Sequence, residues 1–330
     1  MPSTLAHPSS DVHAWLAERR LLVLDGALGT ELERRGADLK DPLWSARLLI
    51  EQPELIRQVH LDYFVAGADV ATTASYQASF EAFAGRGIGQ TEAADLMRRS
   101  VALACEARDA FWADPAHHRG RRRPLVAASV GPYGAMLADG SEYTGYSGVS
   151  RQRLAEFHGP RLQVLAQSGA DLLACETIPC LDEALAIAGL LPGLGGLPAW
   201  ISFACRDGLH TSQGERLAEC VAALDDVAQV VAVGVNCTAP AFIPSLVDQA
   251  RAHTGKPIIV YPNSGEQYDA TCKGWHGEGG AQDFADQALR WHGHGARLIG
   301  GCCRTGPADI RAIRLAAEAN ELLSNPVAER

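Results

Sequence analysis

Three of the nine cysteines stand where sulfur could do chemistry. Leu298-Ile299-Gly300-Gly301-Cys302-Cys303-Arg304-Thr305 is an apolar run ending in two glycines and two adjacent cysteines. A helix start follows at once, Thr305-Gly306-Pro307-Ala308-Asp309, with proline just inside the helix and a small polar residue before it. The paired cysteines therefore belong at the carboxyl end of a strand, on the turn into a helix. Gly300 and Gly301 leave the backbone open to close approach. Val233-Gly234-Val235-Asn236-Cys237-Thr238 has the same grammar, and Cys237 precedes Cys302 by 65 residues, about the length of two βα units. In a β/α barrel, strands two apart bring all three sulfurs to one rim. Three sulfurs with a fourth position open suit a catalytic zinc ion, on which an incoming thiol loses its proton. That chemistry favours alkyl transfer to a thiol over hydrolysis. A different class stays open: a thiol redox or sensing protein that uses Cys302-Cys303 as a disulfide pair. Cys105, Cys175, Cys180, Cys205, Cys220 and Cys272 read as small buried hydrophobes.

The elements that would position these sulfurs are legible. Apolar runs near 21–24, 69–73, 125–130, 171–175, 199–204, 230–235, 257–261 and 297–300 alternate with amphipathic stretches such as 53–66, 91–112, 151–168, 181–190 and 307–323. Eight strand–helix repeats with continuously apolar strands predict a single (β/α)8 barrel over residues 1–330, its zinc site at the carboxyl ends of strands 6 and 8. Gly67, Gly169 and Gly295 each follow a helix and lead into a strand. Chemistry in such barrels gathers at the strands' carboxyl ends. Those ends carry Asp25, Thr72, Thr73, Ser129, Glu176, Cys205, Cys237, Asn263, Cys302 and Cys303. Ser150 and Thr305 read as helix caps. Asp25 and Glu176 suit the α-ammonium of an amino acid, a general acid–base pair or an internal salt bridge. The stretch 131–148, with Tyr133, Asp139, Glu142, Tyr143 and Tyr146, reads as an acidic and aromatic lid or a plain polar loop.

A formal charge of −10 argues against nucleic acid and is compatible with cationic substrates. The one basic run, His117 to Arg123, precedes a strand and is expected to be a solvated loop on the opposite rim. Irregularly spaced cysteines, no signal-peptide pattern and no membrane-length apolar run lead us to expect a cytoplasmic protein.

The Gly-Gly-Cys-Cys end and upstream Asn-Cys, together with Leu24-Asp25-Gly26, Asp41-Pro42-Leu43-Trp44-Ser45-Ala46, Ala74-Ser75-Tyr76-Gln77-Ala78, Ser129-Val130-Gly131-Pro132-Tyr133-Gly134, Ala174-Cys175-Glu176-Thr177 and Val260-Tyr261-Pro262-Asn263-Ser264-Gly265-Glu266, resemble the homocysteine S-methyltransferase family over nearly the whole chain. They are most similar to the branch that uses S-methylmethionine or S-adenosylmethionine. The resemblance implies one zinc ion per chain on Cys237, Cys302 and Cys303, with Asn263 filling its open position before substrate arrives; a plain turn asparagine is the alternative. It implies homocysteine on Asp25, Gly26, Thr72 and Glu176, and the methyl donor against Trp44, Tyr76 and Tyr133. Thr177 stands where the betaine-dependent relatives carry a donor-site tyrosine, which argues against betaine. Selenocysteine is an alternative acceptor. Only small-molecule substrates are implied, with neither nucleic acid nor membrane as partner.

Overall fold

The computed structural model describes residues 8–39, 44–137, 139–146, 148–264, 267–269, 274–276 and 284–323; the side chains of 8–11, 44–46, 267–269 and 274–276 lie outside that description. Eight parallel strands form the centre: β1 (Leu22–Val23), β2 (Val70–Thr72), β3 (Leu125–Val130), β4 (Leu172–Ile178), β5 (Ala199–Phe203), β6 (Val230–Asn236), β7 (Ile258–Tyr261) and β8 (Ala296–Ile299). Each pairs with its sequence neighbours, and β8 pairs with both β7 and β1. A parallel bridge from Leu24 to Val70 joins β1 to β2 and closes the ring, so the expected (β/α)8 barrel is the fold. A two-stranded antiparallel ribbon, Gln267–Asp269 with Gly274–His276, stands outside it. No helix among the described residues is long and apolar enough to cross a membrane.

The strands are apolar over most of their length because both of their faces are covered. Val23, Ala71, Val126, Leu173, Ile201, Val233, Val260 and Ile299 pack outward into the core shared with the helices. Leu22, Leu24, Val70, Leu125, Ala127, Leu172, Ala174, Trp200, Ala232, Ile259 and Leu298 fill the barrel's interior, alternating with the first set as a pleated strand requires. The inward series turns polar toward the carboxyl ends: Ser129 follows Ala127, Glu176 follows Ala174, Ser202 follows Trp200, and Asn236 follows Ala232 by two further steps. At the opposite end, helix Pro8–Glu18 inserts Val12, Trp15 and Leu16 into the interior cluster as a plug.

Several local readings change. β4 runs on to Ile178, past the expected end at Cys175, with a register shift at Thr177, whose φ is 60°. Thr305 does not cap the last helix. Gly306 precedes Pro307 and donates its N–H to the Asp309 carboxylate (2.8 Å), while the Thr305 hydroxyl donates to the Cys302 carbonyl (2.6 Å). Ser150 does cap, accepting from the Arg153 N–H. The close approach that Gly300 and Gly301 permit is taken up by the chain itself. A Cβ on Gly300 would lie 2.6 Å from the Asp25 carbonyl, and one on Gly301 2.1 Å from the Thr305 hydroxyl. The basic run lies before β3, as expected, but is tied down. Arg121 donates to the carbonyls of Phe64 and Ala68, Arg122 pairs with Glu18, and Arg123 pairs with Asp109.

Candidate metal centre and amino-acid site

Cys237 follows β6 directly, at φ 45°. A non-glycine residue in that region marks a sharp, held bend. The bend delivers the sulfur over the barrel mouth, where Cys302 and Cys303 arrive from the turn after β8. Cys302 N–H donates to the Pro262 carbonyl (2.7 Å) and Ser264 N–H to the Cys303 carbonyl (3.1 Å), so the loop after β7 clamps the pair. Asn263 lies in that clamp, buried, with its N–H on the Thr238 carbonyl. The three sulfurs lie within 4.8 Å of one another. The vicinal pair expected for a redox role is not the bonded one. Cys237 and Cys302 stand at disulfide distance with their Cα atoms 5.5 Å apart, whereas the Cys302 and Cys303 sulfurs are 4.0 Å apart. Reduced, the same three thiols form a compact donor set of the soft type that holds zinc, so the residues fit the ion. Burial pushes the Cys303 thiol up to about 12, against the pull of a hydrogen bond from Tyr143. Cys175, Cys180, Cys205 and Cys220 are buried with their thiols raised chiefly by that burial, as inert cysteines should be. Cys272 lies outside the described residues.

On the same mouth stand the two carboxylates, Asp25 just after β1 and Glu176 on β4. Asp25 accepts from the Thr72 N–H (2.7 Å) and hydroxyl (3.2 Å), so the two residues expected to act together are together. Burial raises the Asp25 carboxyl well above its ordinary value; the Thr72 N–H opposes this and Glu176 adds to it. Gly26 is packed against Thr305 and Tyr63, where a Cβ would come within 3.0 Å of either hydroxyl. Glu176 accepts from the Ser129 hydroxyl and hydrogen-bonds with Tyr261, and burial pushes its carboxyl up to about 7. Among the described residues, no hydrogen bond or ion pair places a cation beside either group.

A hidden network supports this end, and the sequence reading missed it. Asn236 Oδ1 accepts from the Thr177 N–H (2.6 Å) and the Ser202 hydroxyl (2.8 Å), and its Nδ2 donates to the Thr177 hydroxyl (2.8 Å). The Ser202 and Tyr261 hydroxyls lie 2.6 Å apart, and Trp200 Nε1–H donates to the same tyrosine oxygen (3.0 Å). The chain of contacts holds Thr177 in its left-handed conformation and fixes Tyr261 beside Glu176. One signal was available: Ser202 and Asn236 are polar residues at inward positions of otherwise apolar strands.

The loop after β3 covers this face with two short helices, Tyr133–Leu137 and Ser141–Thr144. Tyr76 lies beneath it, its ring so close to Gly131 that a Cβ there would come within 2.8 Å. The Tyr133 ring packs edge-on against Tyr146 and Phe157 with the Arg153 guanidinium 5.6 Å from its centre, which places it in the loop's anchorage. That anchorage centres on buried Glu183, which accepts from the Tyr133 N–H (2.6 Å) and the Tyr146 hydroxyl and bonds His158 Nε2 (2.7 Å). Trp44 begins helix Trp44–Glu51, and its side chain lies outside the described residues.

Known proteins are similar to this chain in sequence and in fold. Homocysteine S-methyltransferase YbgG of Bacillus subtilis is 56% identical over 293 residues, which span 89% of this chain and 93% of that protein. Selenocysteine Se-methyltransferase of Brassica oleracea is 49% identical over 88% of this chain and 87% of its own length. Crystal structures of the homocysteine methyltransferase MmuM from Escherichia coli superpose with a TM-score of 0.83, both in a metallated form (46% identity, 92% of this chain and 99% of that one) and in an oxidized form (47%, 92% and 98%). Residues 22–317 match the profile of homocysteine S-methyltransferase, and the chain belongs to that family.

Proposed function

We propose that this enzyme transfers a methyl group from S-methylmethionine, or alternatively S-adenosylmethionine, to homocysteine, forming methionine, with one zinc ion per chain on Cys237, Cys302 and Cys303. The observation that carries the reading is three sulfurs within 4.8 Å of one another facing two carboxylates on the same barrel mouth. Bound there, a zinc ion supplies the positive charge that keeps a substrate thiol ionised at neutral pH. Asn263 is the candidate fourth ligand before substrate enters. Asp25, steadied by Thr72, and Glu176, steadied by Ser129 and Tyr261, hold the homocysteine α-ammonium, with the Gly26 N–H nearby. Neither carboxylate needs to move a proton once the thiol is ionised. Tyr76 and Trp44 offer aromatic faces to the sulfonium, attracting its charge without attacking its methyl group. Tyr133 acts through the loop it anchors. The sulfonium carbon–sulfur bond breaks toward its own sulfur as the homocysteine sulfur bonds to the methyl carbon. With S-methylmethionine both products are methionine. The loop over the mouth keeps out water. Reduced cysteines are required throughout, which suits the cytoplasm.

The test is a donor panel of S-methylmethionine, S-adenosylmethionine and betaine, assayed for methionine formation alongside metal content. A sulfonium-specific reaction with about one zinc per chain supports the reading; betaine as the preferred donor, or activity without metal, would overturn it. Selenocysteine belongs in the same assay as acceptor, because the Brassica oleracea relative is named for it.

A further inference from the structure

Glu142 is an acid whose own backbone N–H engages its carboxylate while one oxygen is left without a partner, in a place where partners are required. It lies on the short helix Ser141–Thr144 of the loop over the mouth, and its Oε2 is buried with no hydrogen bond among the described residues. The charged group recorded as acting on it is Asp139, another acid, whose carboxylate is already engaged by the Ser141 N–H (2.9 Å). Buried carboxylates in folded proteins are otherwise paired or hydrogen-bonded, because an isolated one loses its hydration with nothing in return. Glu142 also acts electrostatically on Tyr76 and on Cys303, as Glu176 does. The same tyrosine and thiol thus feel two acids, Glu176 on β4 and Glu142 on the loop. The Tyr76 hydroxyl is a second buried polar atom, beside the Thr177 side chain but without a close hydrogen bond among the described residues.

We infer that Glu142, with the Tyr76 hydroxyl, forms a subsite for the α-ammonium of the methyl donor, so that the enzyme selects sulfonium α-amino acids over sulfonium or quaternary ammonium donors that lack an amino group. This rests on the donor reading above and deepens it. Homocysteine's ammonium is already provided for by Asp25 and Glu176. A donor lying between Cys303 and the loop brings a second ammonium, and Glu142 is the acid left to receive it. Betaine's single cationic centre is a quaternary ammonium with no N–H to donate, and it carries no second ammonium, so it would leave Glu142 buried and uncompensated.

The test compares L-S-methylmethionine with its desamino counterpart, (3-carboxypropyl)dimethylsulfonium, in wild type, Glu142→Gln and Glu142→Asp. Loss of one charge-assisted hydrogen bond should raise the S-methylmethionine KM of Glu142→Gln about tenfold or more. The desamino donor's KM should be the same in wild type and Glu142→Gln, and Glu142→Asp should recover part of the loss. Homocysteine KM, zinc content and melting temperature should not change, which separates the subsite from a general loosening of the loop. An equal loss for both donors, a rise in homocysteine KM, or an unchanged S-methylmethionine KM would each overturn the assignment. A wild type that turns over neither sulfonium would instead sink the donor reading, and the subsite with it.

Discussion

Taking one sulfur from a three-sulfur set leaves two thiols that cannot close a zinc site, while the barrel keeps a core that owes nothing to the metal. Cys302→Ala and Cys303→Ala should therefore lose zinc and activity together, with the unfolding midpoint nearly unchanged; global unfolding of both would make the site structural. The carboxylates call for a different measurement. Burial holds the Glu176 carboxyl up to about 7, so it is largely neutral below that pH and ionised above it. An ammonium prefers the ionised form, so amino-acid binding should strengthen as pH rises. Methionine is the cleaner probe because it has no thiol to titrate. Its Kd should fall about tenfold between roughly pH 6 and 8, the change in ionised fraction across a pKa near 7. In Glu176→Gln that dependence should flatten and the homocysteine KM should rise, by the equivalent of about 1.5–3 kcal/mol. A collapse of kcat with homocysteine affinity intact would return Glu176 to acid–base catalysis. At this scale the sequence told the sulfurs apart by position, number and spacing together, since Cys205 also sits at a strand end yet stays outside the three-sulfur group. It could not single out Asn236, whose importance comes from holding Thr177 at φ 60°, a conformation no residue type announces.

Strands and helices were legible where burial imposes a period. Helices Pro53–Ala66 and Leu181–Leu190 begin and end where proline, glycine and the apolar rhythm put them. The loop over the mouth was legible only as composition, since its shape depends on Glu183, 50 residues beyond Tyr133. In the sequence Glu183 looks like an ordinary acid in a helix's first turn. In the structure it is fully buried and joins Tyr133, Tyr146 and His158, the last held below its usual range by burial so that it stays a neutral hydrogen-bond partner. Glu183→Ala should therefore release the loop as a unit. Hydrogen exchange should speed up across 133–146, and the donor KM should rise several-fold, while zinc content and methionine Kd hold. Unchanged protection of that segment would show that the loop is fixed by other contacts.

The ring as a whole closes between its first and last elements, and one residue carries much of that join. Asp69 is wholly buried at the foot of β2. Its carboxylate accepts from the Val23 N–H (3.1 Å) of β1 and from Arg314 (3.1 Å) of the last helix, with Arg121 of the basic run 3.8 Å away. Its main chain bonds to Val23 on one side and Leu125 on the other. Eight repeats in the sequence imply a closed barrel, yet no local pattern says where the seam is locked. The Arg314 stem also lies on Gly67, where a Cβ would be 2.6 Å away, so arginine and glycine are fitted to each other across the seam. Asp69→Ala removes the anion and leaves Arg314 buried beside Glu318 alone. Breaking a buried pair from one side costs about 3–5 kcal/mol, because the remaining charge stays out of water. A second change, Arg314→Met, removes that stranded charge and should recover part of the loss. Recovery should stop about 1–3 kcal/mol short, since the Val23 N–H still has no acceptor. Urea unfolding of the two single variants and the double variant measures each step. Homocysteine and donor KM values at low temperature should stay at wild-type levels, because the seam lies at the opposite end of the strands from the thiols. A double variant no more stable than Asp69→Ala would mean that Arg314 was never the stranded group, and that the lost bond to β1 alone sets the cost.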